Sequence, residues 1–186
     1  MNATDLRQLA NGLDVLENIN TSQSLHRLKQ EIPFSNKLND FICKWIENNK
    51  DKFVFTDTDD FDPNDIEGTL QKHIQRYNET GKIHVWTGCS DKTIFADATV
   101  NHKFRAWHDY IHVTEGYGYD FIGESIVADI QRQQLPKEWV LERELVMCEI
   151  VGQAQYNMIY GEFIDNQRLF TADYLNNVKQ TLKKKY

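Results

Sequence analysis

The chain has 186 residues, 40% of them apolar and 12% aromatic, which is enough for one domain with its own core and too apolar for disorder as the dominant state. Its formal net charge of -7, from 28 acidic and 21 basic residues, argues against broad electrostatic capture of nucleic acid or of an anionic membrane. Three widely spaced cysteines, Cys43, Cys89 and Cys148, form no CxxC pair and argue against a disulfide scaffold or an all-thiolate zinc knot.

The N-terminal MNATDLRQL lacks the basic-then-apolar order of a secretion signal, and no run of eighteen apolar residues follows. A reducing cytoplasm is the expected setting. Leu6, Leu9, Leu13 and Leu16, then Leu25, Leu28 and Ile32, recur at helical spacing until Pro33 stops the pattern. These segments would pack on the core or serve self-association into a homo-oligomer. Ser35 is placed to cap a third helix with the stripe Leu38, Phe41, Ile42, Trp45 and Ile46.

Phe53 and Phe55 alternate with polar neighbours and predict a short strand before the acidic cluster Asp57, Asp59, Asp60 and Asp62. That cluster lacks the regular ligand loop and terminal glutamate of a calcium hand. Asp62 followed by Pro63 instead predicts a helix start, with a helix over 63–78 carrying Ile66, Leu70, His73, Ile74 and Tyr77. The segments around 83–87 and 93–97 alternate about a turn at Gly88–Asp91, predicting an antiparallel hairpin, or a three-stranded sheet with 52–56. His84 reads as an exposed strand residue. Helices are predicted over 101–114, 120–134 and 138–160, and over 171–184 with Thr171 as cap. Lys183, Lys184 and Lys185 read as a solvated helix end. The expected fold is mainly α (α+β): one domain over 1–186, with a helical region to 50, a strand, helix and hairpin region over 51–100, and a helical region over 101–186 that carries the site.

His108 and His112 lie one helical turn apart, so both can reach one metal ion. The spacing resembles the paired histidines of HExxH metallopeptidases, but Asp109 stands where the glutamate would be, one methylene shorter. Phe104, Trp107 and Ile111 would bury this helix. Glu149, inside the apolar run LVMCEIVGQAQY, needs a cation, a hydrogen-bond network or a proton. Two readings stay open for it: a structural salt bridge to Arg105 or Arg143, or completion of a His108/His112/Glu149 metal triad. Glu124, between Phe121, Ile122, Ile126 and Val127, is a third ligand, a partner of a histidine, or the catalytic base. Asp120 would cap its helix, and Glu115 is a reserve candidate. Gly152 inside a helix suggests close passage of the histidine-bearing helix or a bend. Gln153 would position substrate or serve a structural network.

The segments FRAWHDYIH (104–112), IGE (122–124) and EIVGQ (149–153) together resemble a little-characterised group of bacteriophage proteins, some of which are domains of larger injected polypeptides. The resemblance covers roughly 60 residues and singles out Arg105, His108, Asp109, His112, Glu124, Glu149 and Gln153. The chain departs from that pattern at Ile111, where a glycine is usual, and at VTEGYG after the second histidine. The resemblance implies viral origin, the cytoplasm of an infected bacterium and no secure activity. Read with the residues, it leads to a metal-dependent hydrolase of unknown substrate. His108, His112 and Glu149 would hold a divalent ion, zinc in preference to iron, with Glu124 or Asp109 activating water and Arg105 and Gln153 assisting. The alternative is a noncatalytic phage accessory protein that binds a host or viral protein, its His/Glu cluster serving as a buried polar network.

Overall fold

Ala98–Glu115 (α3) is the helix around which the other described elements pack, because three of its faces are engaged. The computed structural model describes residues 32–90 and 92–185, apart from the side chains of 176 and 178–185. The helices expected before Pro33 lie outside the described residues. In chain order the elements are α1 (Asn36–Glu47), β1 (Phe53–Thr56), α2 (Ile66–Thr80), β2 (Ile83–Trp86), α3, α4 (Phe121–Gln134), α5 (Val140–Met147), a π-helical turn (Cys148–Gly152), α6 (Gln153–Tyr160) and α7 (Gln167–Lys185). The fold is mainly α with a small sheet, as expected. No helix among the described residues is long and apolar enough to cross a membrane.

One face of α3 (Phe104, Trp107, Ile111) joins the main core with Leu38 and Ile42 of α1, Val127 and Ala128 of α4, Leu145 and Val146 of α5, and Leu175 of α7. A second face (Ala106, Val113) joins Ile46, Phe53, Ile83 and Val85 in a smaller core beneath the sheet. Arg105, His108, Asp109 and His112, at i, i+3, i+4 and i+7, share a third face. Asp97 caps the helix by accepting from the Thr99 amide, and Gly116 ends it at φ 74°, a left-handed conformation that glycine takes without steric cost.

The sheet departs from expectation. β1 and β2 pair in parallel, Phe53 opposite Ile83 through Thr56 opposite Trp86. Parallel neighbours need a crossover, and α2 supplies it. Residues 93–97 form turns and no strand. Ile94 and Phe95 are consecutive and both fully buried, which a strand with one covered face does not allow. Ala96 adopts φ 57°, and Ile94 accepts from the Phe34 amide. The alternation read there as period two was a turn tucked into the core.

Helix starts moved for local reasons. Ser35 caps α1 as expected, accepting from the Leu38 amide at 3.2 Å. Asp62, by contrast, accepts from Asn64 within its own turn, so α2 begins after Asp65, whose carboxylate accepts from the Gly68 amide. Thr171 lies inside α7, fully buried, and Asn166 just before that helix accepts from the Leu169 amide. Close to Gly152, the atoms a Cβ would meet first belong to the Phe170 ring of α7, at 3.1 Å, so the close passage involves α7 and not the histidine helix.

Trp107 is the hub of the main core. It is fully buried, its ring lies 5.4 Å from Phe41 and 6.1 Å from Trp45, and its Nε1 donates to Gln134 at 3.0 Å. Trp107→Ala is expected to lower unfolding stability by about 3–5 kcal/mol in chemical denaturation. A loss below about 1 kcal/mol would show that α3 is not the organising helix.

Candidate metal centre

The third face of α3 meets the N-terminal turn of α4. Asp120 caps α4 as expected, accepting from the Ile122 and Gly123 amides at 2.9 and 2.8 Å. A Cβ on Gly123 would fall 1.9 Å from the Gly118 carbonyl oxygen, so only glycine lets the loop fold back this tightly onto the helix start. That contact sets the position of the next residue, Glu124.

Glu124 faces both imidazoles. Its Oε2 is 3.1 Å from His108 Nε2, its Oε1 is 3.6 Å from His112 Nε2, and the two Nε2 atoms are 3.0 Å apart. Each ring has its other nitrogen committed. His112 Nδ1 donates to the Tyr117 carbonyl at 2.8 Å, and His108 Nδ1 to Gln131 Oε1 at 2.9 Å. A carbonyl oxygen only accepts, so His112 carries its proton on Nδ1 and turns the Nε2 lone pair toward the cluster. His112 and Gln131 are fully buried.

Among the described residues, His108, His112 and Glu124 form the one group of such side chains able to hold a metal ion. Ligands on a tetrahedral ion with bonds of about 2.0–2.1 Å stand about 3.3 Å apart. The two imidazole nitrogens stand 3.0 Å apart, the two Glu124 oxygens lie 3.1 and 3.6 Å from one histidine each, and one ligand atom from each of the three residues falls within 4.8 Å of the others, so a small closing movement would bring them to that spacing. Hydrogen bonds from the outer imidazole nitrogens to fixed acceptors are the usual accompaniment of ligating histidines.

Without a cation the cluster neutralises itself. Burial disfavours charge on His108, but the Glu124 carboxylate, through charge and hydrogen bond, with help from Asp109 and Gln131, lifts its pKa to about 9. Burial likewise disfavours ionised Glu124, yet His108 and His112 hold it well below the usual carboxylate range. The proton on His108 is the charge that a divalent ion would displace.

Tyr119, which the sequence reading did not single out, closes the site from the other side. Its ring lies 4.5 Å from that of His112, and its hydroxyl pairs with His73 Nδ1 at 2.9 Å. His73 Nε2 is 2.9 Å from Asp60, which also meets Arg76 and Lys72. Asp60 is thus spent on α2, and the acidic loop forms no ligand cluster among the described residues. Gln131 and Tyr117 were missed as well; only three-dimensional proximity identifies them.

The remaining expected residues divide. Asp109 is half-buried beside His108 and makes no hydrogen bond among the described residues. Burial raises its pKa, against the pull of His108, His112, Arg105 and His73. Arg105, half-buried one turn earlier, anchors through Nη1 to the Trp86 carbonyl and, at 3.1 Å, to that of Gly88. It does not pin Glu149, and Arg143 does not either, donating instead to the Arg132 and Leu135 carbonyls. Glu115 is exposed.

Glu149 is absent from the cluster. It sits in the π-helical turn, where Gln153 donates to it at 2.9 Å and Thr171 at 3.5 Å. Gln153 also accepts from Gln167, so it serves this network and not the histidines. Burial, only partly offset by these two bonds, pushes the Glu149 pKa up to about 8. The cation demanded by a buried carboxylate is replaced here by a proton.

No protein-family model matches this chain, and no curated protein or solved structure does either.

Glu149 generates a pH test. The unfolded carboxyl ionises near 4.5, whereas the folded one keeps its proton to about 8, so its stabilising contribution is full below 4.5 and is lost as pH rises through 8. Glu149→Gln, which cannot ionise, is expected to gain on the order of a few kcal/mol over the parent between pH 5 and pH 9 in denaturation midpoints. Parallel pH profiles for the two proteins would contradict the assignment.

Proposed function

We propose that the chain is a metal-dependent hydrolase of phage origin whose ion is held by His108, His112 and Glu124. The observation that carries this reading is the convergence of two Nε2 atoms and one carboxylate oxygen within 4.8 Å of one another, with both Nδ1 atoms already satisfied. The nitrogen and oxygen donor set suits zinc before iron. Bound there, the ion would supply Lewis acidity and a lowered pKa for water.

The chain's own residues divide the other tasks. Gln131 and the Tyr117 carbonyl orient the imidazoles. Tyr119 covers the His112 ring and keeps water from that side. Asp109, next to His108 and free of protein hydrogen bonds among the described residues, accepts the proton of the attacking water. Its shorter side chain suits a site approached from the neighbouring turn, where Glu124 has taken the ligand role. Arg105 brings positive charge to the same helix face for the oxyanion that develops as water adds. The resemblance of FRAWHDYIH, IGE and EIVGQ to phage proteins supports the origin, and an infected bacterial cytoplasm would be the working compartment.

Elemental analysis of protein purified without added metal tests the reading. About one equivalent of zinc or iron is expected in the parent and in Glu149→Gln, and its loss in His108→Ala and Glu124→Gln. Folded parent that takes up no metal after supplementation would overturn the hydrolase reading and favour the accessory-protein alternative. Metal retained in Glu124→Gln but lost in Glu149→Gln would move the third ligand back to Glu149.

A further inference from the structure

The acidic loop after β1 supplies no ligand to the cluster among the described residues, yet it reaches the metal centre through one tyrosine. Phe61 of that loop meets the Tyr119 ring edge-on at 5.8 Å, and the His112 ring lies 4.5 Å from the same tyrosine. Burial, with the nearby charges of Asp109, Glu124 and Asp60, raises the Tyr119 pKa, so its hydroxyl keeps its proton and needs an acceptor. His73 Nδ1, 2.9 Å away, is that acceptor in the neutral ring, because Nε2, 2.9 Å from Asp60, carries the hydrogen that a carboxylate can only accept. Asp60 is itself held to α2 by Arg76 and, at 3.8 Å, by Lys72. The run Tyr119–His73–Asp60 thus has each donor matched to an acceptor and ends on two cations.

Tyr119 also lies two residues after Tyr117, whose carbonyl accepts from His112 Nδ1 at 2.8 Å. Tying down the Tyr119 hydroxyl therefore steadies two contacts of one ligand: the ring that covers His112, and the loop segment that fixes its Nδ1. We infer that Asp60 and His73 are positioning residues of the metal centre, acting through Tyr119 on the hold of His112 on its ion. This assignment rests on the metal reading above and adds to it a part for the acidic loop. Neither residue touches the ion. Their contribution is preorganisation, since a ligand already fixed in its bound orientation loses less freedom when the ion arrives. Groups that orient metal ligands commonly change metal affinity by about 10–100-fold. Tyr119 meets His112 by ring contact and through the loop, without a direct hydrogen bond, so the lower end of that range applies.

Zinc affinity of the full-length protein, measured by competition with a chromophoric chelator, tests the assignment. Tyr119→Phe, which keeps the ring and loses the hydroxyl, is expected to bind zinc about tenfold more weakly than the parent. His73→Leu should show a similar loss. His73→Gln, whose amide offers a donor to Asp60 and an acceptor to Tyr119, should recover most of the parent affinity, a rescue that filling space alone would not give. Parent-like zinc affinity in both Tyr119→Phe and His73→Leu, or equal losses in His73→Gln and His73→Leu, would overturn the positioning role and leave the metal centre standing. A parent that binds no zinc overturns the metal reading itself and removes this role with it.

Discussion

Two imidazoles one turn apart will aim their Nε2 atoms at a common point only if something holds each ring by its other nitrogen. Here the holders differ: a backbone carbonyl, that of Tyr117, fixes His112, and a buried amide, that of Gln131, fixes His108. Tyr117 lies in the segment that turns back from α3 into α4, Glu124 in the first turn of α4 and Gln131 two turns further along the same helix. The tight passage of Gly123 against Gly118 is thus a condition of the site as well as of the fold, since any larger side chain would push the helix start, and Glu124 with it, away from the histidines.

Burial gives Glu124 and Glu149 opposite character. Glu124 and Glu149 each sit in an apolar stretch of sequence, and each needs relief from desolvation. Glu124 finds imidazole charge and stays ionised; Glu149 finds only an amide and a hydroxyl and holds its proton. Linear sequence presents the same problem twice and does not say which solution applies where. This explains why Glu149, the more deeply apolar of the two in sequence, looks like the better ligand before the fold is known.

Features governed by short-range physics were legible. The stripe of α1 and its Ser35 cap, the Asp120 cap, and the one-turn pairing of His108 with His112 follow from neighbours within four residues. Misread features depended on distant partners. Alternation over 93–97 came from two consecutive side chains entering a core built by α1, α3 and α5. Thr171 resembled a cap, yet its hydroxyl turns inward to Glu149 and Cys148. Asp60 resembled one of several loop acids, and only the packing of α2 shows it paired with His73 and Arg76.

The small βαβ unit does more than complete the domain. Its helix α2 supplies His73, whose bond to Tyr119 braces the ring that covers His112. Its strand β2 ends at Trp86, whose carbonyl and ring together seat Arg105. The α3 face is therefore gripped towards both ends by elements that contribute no ligand themselves. A parallel pair joined by a helix suits this better than a hairpin would, because the crossover puts α2 and the end of β2 against the same helix.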